Sequence, residues 1–475
     1  MAARGGRVFQ APQVLFALLG VCAAWPTSAA SWRFVPAFDF AEIYSDNITL
    51  QPQGDQQDDF ITEVAPSFAL SAEGRRLNLT LDYRWQGLYY ARNSDRSTSY
   101  HQLGAALDSI LVKDLLFLEG AATYQQTLVT PTAASGQGNF AITGVRENVL
   151  TTHLSPYLTR RLGNWATTLL RYTADGVAYP NSHDRDSRSN GIDATLSKQK
   201  NDGRWSWALG YRAQTITYRS AVSANVVTRT GDFQLGYRPS RRIGFNGLVG
   251  YEKNDYPRAV DTAVPEGNYW DLGAEWQPTP RTTLAFGGGR RYFGDNWRLD
   301  LSLRGRRSEF SGRYFQELTT RRQYLLAPQL NASGQLIIDP DTLQPVLERL
   351  PLDEVYLRRR AQLAFSYRTR RTTSTLNMYR ERREYQLSGV AETVRSGGLG
   401  WQWSPSQRAH FNLGVDLLLT QSSDYAQDRL MASFASFTRR LGRQLNASLE
   451  ARRTVRDGVL DYTENLLTAR IKMSW

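Results

Sequence analysis

The last eleven residues, 465–475, alternate between apolar and polar side chains and end on an aromatic residue. The apolar positions are Leu467, Ala469, Ile471, Met473 and Trp475, and the polar positions between them are Thr468, Arg470, Lys472 and Ser474. Because successive side chains of a β-strand point to opposite faces, this pattern predicts a strand with one apolar and one charged face. Such a strand suits the wall of a barrel in lipid. For this segment alone, an edge strand of a soluble β-sandwich is the alternative.

Four other segments, near residues 77–86, 297–304, 410–419 and 445–452, repeat this alternation. In a membrane barrel the polar face of each strand points into the lumen. The charged residues that we therefore expect to face the lumen are Asp82, Arg84, Arg298, Asp300, Arg304, Asp416, Glu450, Arg452, Arg470 and Lys472.

Ten short turns rich in Gly, Pro and Arg divide the chain, from 73–76 to 441–443. Most lie roughly 35–50 residues apart, which leaves room for two strands and one longer loop. This rhythm predicts an all-β, up-and-down antiparallel transmembrane barrel of about 22 strands, within a range of roughly 18–24. A soluble sandwich would be expected to have Greek-key connections of varied length.

The longer connections are polar, and we expect them to face outward, with the arginine-rich turns in the periplasm. They lie near 44–59, 128–147, 180–188, 254–266 and 319–354. The last of them is long enough to fold into the lumen, and it carries apolar residues such as Leu325 and Leu326 that need cover.

Residues 1–30 have the features of a cleaved secretory signal, with a basic start, an apolar stretch and small residues up to Ala30. The barrel is therefore expected to span 31–475, in the outer membrane. Cys22 is the only cysteine, so a chain cleaved after Ala30 has no disulfide and no thiolate. The residues before Cys22 partly match a lipoprotein box, but the bulky Val21 favours the simple signal.

The formal net charge is +12, and the 57 basic residues include only five lysines. Arginine binds carboxylate and phosphate through two parallel hydrogen bonds, so an arginine-lined lumen would favour anions. A GC-rich genome also yields arginine-rich proteins, and charges of both signs on facing strands can pair with each other instead. No nucleic-acid partner is expected, because an exported barrel has no access to nucleic acid.

Several stretches carry a family resemblance: 44–50 (YSDNITL), 74–77 (GRRL), 114–118 (DLLFL), 154–158 (LSPYL) and 265–295 (from PEGNYW to RRYFGD). They resemble the outer-membrane β-barrel proteins associated with PEP-CTERM/exosortase systems of Gram-negative bacteria. The resemblance implies a barrel encoded beside exopolysaccharide and exosortase genes. It supplies no catalytic residue.

The C-terminal pattern of Leu467, Ile471, Met473 and Trp475 resembles the signal that the barrel-assembly machinery of the outer membrane reads. The expected partners are this machinery, outer-membrane lipid and lipopolysaccharide, and an acidic exopolysaccharide or proteins of an export system. A porin-like channel and a scaffolding or surface-polymer docking barrel are both open as functions at this point.

A lipid-modifying enzyme is a third hypothesis. His153 and Ser155 lie two residues apart on a predicted strand, as in a lipid A deacylase barrel, where histidine would activate serine. Glu147 is a guess for the third, orienting group, and Pro156 suggests that the strand ends there. The other histidines are scattered, so no metal site is predicted, and no motif indicates a cofactor.

Overall fold

The computed structural model describes residues 30–128, 138–143, 146–198, 203–219, 225–260, 264–326, 338–339, 344–345, 351–352, 354–424, 426–458 and 460–475. These residues form one sheet of 22 antiparallel strands, each paired with its chain neighbours, and the last strand pairs with the first. The sheet is therefore a closed barrel, which confirms the predicted fold. The one α-helix among the described residues has six residues, and no described helix is long and apolar enough to cross a membrane.

The first half of the wall consists of β1 Ala30–Ser45, β2 Asp59–Gly74, β3 Leu77–Tyr90, β4 Thr98–Val112, β5 Leu116–Leu128, β6 Arg146–Leu162, β7 Ala166–Ala178, β8 Ser187–Lys198, β9 Trp205–Tyr218, β10 Val226–Tyr237 and β11 Ile243–Asp255. The chain continues with β12 Glu266–Thr279, β13 Thr282–Arg291, β14 Gly294–Arg304, β15 Ser308–Thr320, α1 Arg321–Leu326, the short ribbon of β16 Ile338–Asp339 and β17 Gln344–Pro345, then β18 Val355–Arg368, β19 Thr372–Tyr385, β20 Ala391–Ser406, β21 Ala409–Ser422, β22 Asp428–Arg440, β23 Leu445–Asp457 and β24 Tyr462–Ser474.

The connections differ in length between the two ends of the barrel. Each of the ten predicted turns lies between two paired strands, from the β2–β3 turn to the β22–β23 turn, and all ten connections are at the same end. Asp202, of the predicted turn between β8 and β9, lies outside the described residues. Both ends of the described chain are also at this end. The longer connections are at the opposite end, and the longest joins β15 to β18. The predicted signal, residues 1–30, lies outside the described residues apart from Ala30.

The outer face of the wall is apolar because alternate strand residues point away from the lumen. Large apolar side chains that are exposed on this face include Phe34, Leu209, Val249, Leu272, Phe286, Leu399, Leu467 and Ile471. The barrel closes where β24 pairs with β1, and the Trp475 N–H donates to the Pro36 carbonyl at 3.0 Å. The last strand thus contributes its apolar residues to a continuous apolar band.

The expectation that a strand ends at Pro156 is wrong, because β6 continues to Leu162. Proline has no N–H to donate, so it needs a position where the ladder does not require one. On one side Pro156 lies opposite Leu118 of β5, but the pairing with β7 is interrupted between Leu154 and Tyr157. The interruption accommodates the missing donor inside the strand.

Candidate functional site: a lumen filled at one end

The inner face of the barrel differs between its two ends. Along β3, Asp82 is exposed, whereas the next inward side chain, Arg84, is only 5% exposed. Along β19, Asn377 is exposed, whereas Glu381 is 1% exposed and Arg383 is 0% exposed. A barrel of this strand number is too wide for wall side chains alone to fill it. We call the filled end, near the long loops, the outer half of the lumen, and the open end, near the short turns, the vestibule.

The first segment that fills the outer half follows β1. Ile48 is 0% exposed and packs against apolar wall residues of β1 to β3, and Leu50 packs against β20 to β22 and β24. Asn47 fixes this segment, because its Nδ2 donates to the Gln51 carbonyl at 2.7 Å and to the Thr463 carbonyl at 2.9 Å. Leu50 has a φ of 51°, a left-handed conformation that costs energy without a glycine and is kept here by the packing.

The second segment, residues 138–143, lies beside the first. Asn139 donates through Nδ2 to the side-chain oxygens of Gln86 at 2.9 Å and Gln126 at 3.1 Å. The Ile142 N–H donates to the Ile48 carbonyl at 2.7 Å, so the two segments are bonded to each other as well as to the wall. Because buried polar groups are costly when unpaired, these bonds specify one position for the segment.

The third segment is helix α1, which leaves β15 and crosses to the other side of the barrel. Its residues Leu325 and Leu326 pack against a buried cluster of Val149 on β6, Val177 on β7 and Tyr179 just after β7. The sequence-based expectation that this connection reaches the lumen is therefore met by the part of it that the structure describes.

Arg322 fixes helix α1 on the polar side. Its Nε donates to the Ser187 hydroxyl at 2.9 Å. Burial lowers the pKa of the Arg322 guanidinium, and the nearby Asp175 carboxylate acts in the opposite direction. Burying the charge of Arg322 in the lumen costs solvation energy, so the docking of this helix depends on polar partners such as Ser187 and Asp175.

Loop residues after β11 cross a low part of the rim at the long-loop end. Only two residues join β13 to β14, so the wall is low there. Residues 256–260, which follow β11, reach across this gap, because the Ala259 N–H donates to the Gln386 carbonyl between β19 and β20 at 2.8 Å. At the same part of the rim, Tyr256 and Tyr292 share a hydrogen bond of 3.0 Å, and burial raises the pKa of both hydroxyls. Both tyrosines are therefore neutral at physiological pH.

Ion pairs line the wall behind the first two segments. Arg84 forms a close ion pair with Glu63, and Gln86 donates to the other oxygen of Glu63 at 3.0 Å. Asp39 and Arg470 extend the group, at 3.7 Å from Arg84 and Glu63 respectively. Since buried charges are costly unless paired, this network holds the wall in a single arrangement.

A second buried network lies on β18 to β20. Arg383 binds Glu381 at 2.6 Å and Glu392 at 3.0 Å. Glu381 also accepts from Arg360 at 3.0 Å and contacts Arg358 at 3.1 Å. One carboxylate is thus surrounded by three guanidinium groups, which is a rigid structural device rather than an open binding site.

Most of the charged residues predicted to face the lumen are in ion pairs. Besides Arg84 and Arg470, the pairs are Arg298–Asp271 at 2.6 Å, Asp300–Arg313 and Arg304–Glu309 at 3.2 Å, Arg452–Glu450 at 2.8 Å and Lys472–Asp39 at 4.0 Å. Asp82 and Asp416 form no ion pair with any residue that the structure describes. The mutual pairing leaves few arginines free to form an anion-selective ring.

His153 and Ser155 share the inward face of β6 but do not contact each other. His153 Nδ1 lies 2.6 Å from Asp175, which also accepts from Ser189 at 3.0 Å. The hydroxyl of Ser155 accepts instead from Arg171 at 2.8 Å and is 0% exposed. The guessed third group, Glu147, accepts from Ser182 in the adjoining loop. A buried serine without a contact to the base lacks the geometry of an activated nucleophile.

Apart from Arg84 and Arg470, the residues of the two networks were not identified from the sequence, and neither were the amide clamps, Asn47 and Asn139. Glu381 and Arg383 alternate with other charged residues in a run that looks solvent-exposed, and Asn139 lies in a polar loop. The signal that could have indicated loop insertion was the apolar pair Ile48 and Leu50 in an otherwise polar connection. No group of three or more potential metal ligands occurs within the described ranges.

No protein-family model and no curated protein matches the sequence. Solved structures match the fold. A mutant of the ferric enterobactin receptor PfeA from Pseudomonas aeruginosa has a TM-score of 0.52 at 10% identity, over 94% of this chain and 81% of that one. The FrpB iron transporter from Neisseria meningitidis gives 0.51 at 10% identity, over 93% and 82%. The siderophore receptor PirA from Acinetobacter baumannii gives 0.51 at 7%, over 93% and 80%. The fold is that of an outer-membrane β-barrel.

Proposed function

We propose that the protein is an outer-membrane barrel whose lumen is closed at rest and that serves as a scaffolding component of a surface-polymer or surface-protein export system. The observation that carries the proposal is the outer half of the lumen, where three loop segments are bonded to the wall. A constitutively open porin would not need buried amide clamps such as Asn47 and Asn139.

The vestibule supports an orientation for this scaffold. If the short turns face the periplasm, as in other barrels of this class, the open, hydrated end of the lumen faces the periplasm too. Its exposed side chains, such as Asp300 and Arg304, are then accessible to a periplasmic partner, while the outer half separates the vestibule from the exterior.

The link to PEP-CTERM/exosortase export is part of the proposal, and sequence resemblance supports it. One of the resembling stretches, 44–50, overlaps the first segment that fills the lumen. The segment contains the Asn47 clamp and the buried Ile48, so the resembling residues coincide with the residues that close the barrel. A gated route for an acidic polymer is a second candidate, which the exposed arginines of the vestibule, such as Arg304, favour.

The test is the conductance of the refolded barrel in a planar bilayer under a salt gradient. A folded sample, identified by its heat-dependent migration on a gel, should give almost no steady conductance. A steady, anion-selective conductance in the folded wild-type protein would overturn the closed state and favour an open porin. Brief openings with anion selectivity would favour the gated route.

An enzymatic role has a separate test. Cells that produce the wild-type protein and cells that produce the His153→Ala variant should contain the same lipid A species. Lipid A that loses an acyl chain only with the wild-type protein would restore the hydrolase hypothesis.

A further inference from the structure

The outer wall carries charges near the long-loop end, and several of them face a residue of opposite sign. On β11 and β12, Lys253 lies directly opposite Glu266, with 3.2 Å between Nζ and Oε2. On β13 and β14, Arg290 lies opposite Asp295. These positions share a strand face with exposed apolar residues such as Phe286, so they point outward.

Like charges also face each other: Arg229 lies opposite Lys253, which is itself paired with Glu266, and the wall of β18 to β20 has two opposed arginine pairs. Arg359 of β18 lies opposite Arg382 of β19, and Arg380 of β19 lies opposite Arg395 of β20. Directly opposed side chains have Cβ atoms about 5 Å apart, and like charges at that distance destabilise a sheet. All four arginines share the outward face with exposed Leu363, Met378 or Leu399; we call them the arginine quartet.

One carboxylate compensates only part of this charge. Glu384 contacts Arg359 at 2.7 Å and Arg382 at 2.9 Å. Arg380 and Arg395 are exposed and have no acidic partner in the described part of the chain. The quartet with Glu384 therefore keeps a net positive charge of about three on one small area of the wall.

An apolar depression of about 950 Å³ lies beside the quartet, toward the middle of the wall. Leu399, Trp401 and Leu413 are among the large residues at its edges, and the small residues Ser433 and Ala435 leave it concave. Leu399 follows Arg395 by four positions on β20, so the depression begins roughly 13 Å from the guanidinium row.

We propose that the quartet and the depression bind a phosphorylated glycolipid of the outer leaflet, of the lipid A class. Its phosphates match the guanidinium groups, which bind phosphate through paired hydrogen bonds, and its acyl chains match the depression. A bound phosphate group also explains why two arginine pairs can face each other. Arginines at a membrane boundary also extend toward water without any ligand, but that behaviour does not favour opposed pairs on adjacent strands.

The inference rests on the proposed membrane location and on the long loops facing outward. The full-length barrel, purified in detergent and shown to be folded by its heat-dependent migration, is titrated with bisphosphorylated lipid A, with dephosphorylated lipid A and with phosphatidylglycerol. Binding is measured by native mass spectrometry. We expect the wild-type protein to prefer the bisphosphorylated form at least tenfold over each of the other two.

In the variant Arg380→Gln/Arg395→Gln, the affinity for bisphosphorylated lipid A should fall at least tenfold, so that the preference for this form is lost. A matched control, Arg370→Gln/Arg371→Gln, removes the same charge from the short turn between β18 and β19 and should bind as the wild type does. Without lipid, the quartet variant should melt at the same temperature as the wild type or higher, because a repulsion has been removed.

Equal binding of phosphorylated and dephosphorylated lipid A would overturn the inference, and so would unchanged binding by the quartet variant. Equal binding of phosphatidylglycerol would show a general anionic-lipid surface and would also overturn it. Each of these results leaves the closed-lumen proposal standing, since the conductance of the same folded sample tests that separately.

Discussion

The two halves of the lumen are lined by the same strands, but their inward side chains differ in exposure. On β3, Asp82 faces water in the vestibule, while Arg84, one inward position further, lies in a buried network. The vestibule tolerates charged side chains because water solvates them. The outer half buries its charged side chains, so each charge there depends on a specific partner. The same residue types are thus expected to have small effects in one half and large effects in the other.

The largest effect should come from breaking the outer half directly. In the variant Ile48→Asp/Leu50→Asp, two carboxylates would have to enter an apolar cluster, and that cost should drive the first segment out of the lumen. We expect steady conductance where the wild type has almost none. Val260→Asp, at a loop residue that is 95% exposed, is the control and should stay closed. A closed double variant would show that the first segment is not needed for the seal.

The second prediction sharpens the boundary between the halves by chemical labelling. Thr80→Cys and Leu88→Cys introduce single thiols on the same face of β3, one exposed and one fully buried. A water-soluble maleimide should react with the vestibule thiol about ten times faster or more, because the buried thiol reacts only when the structure opens locally. Similar labelling rates would mean that the outer half is open to water.

The next largest contrast is expected in the free energy of unfolding, between the neighbouring inward positions 82 and 84. Arg84→Met leaves Glu63 buried without its main partner and should cost about 3–5 kcal/mol of unfolding free energy. Asp82→Asn, in the vestibule, should change it by no more than about 0.5 kcal/mol. Urea unfolding followed by tryptophan fluorescence measures both, and equal effects would contradict the difference between the halves.

The smallest effect is expected for an ion pair in the vestibule. Arg304 and Glu309 are 3.2 Å apart, but both side chains are exposed. Arg304→Ala should therefore lower the unfolding free energy by only about 0.2–1 kcal/mol, and less at high salt. A loss as large as that of Arg84→Met would show that the vestibule is also dry.

The fold could be predicted from the sequence because a barrel wall is a local pattern. Alternation such as that of 465–475 and turns such as 73–76 identify each strand without knowledge of its partners. Strand boundaries were less certain, as Pro156 shows. Its missing donor is accommodated by an interruption in one neighbouring ladder, which depends on the pairing rather than on local sequence.

The filling of the lumen could not be predicted in the same way. Asn139 and Gln86 are 53 residues apart in sequence, and their bond exists only because a loop enters the barrel. The pairing of Arg383 with Glu392 likewise requires the register between β19 and β20. Local patterns show which face a residue occupies, but they do not show which distant group it meets there.

The contacts that close the barrel also determine at which stage of assembly it becomes impermeable. Ser45 donates to Glu464, and Asn465 donates to Asp46, each across 419 residues of chain. Contacts between such distant parts of a chain form late, because the intervening strands must be in place first. Asn47 depends on the same neighbours through the Thr463 carbonyl. A half-assembled barrel would therefore leak, and impermeability would arise only at the final step of its insertion.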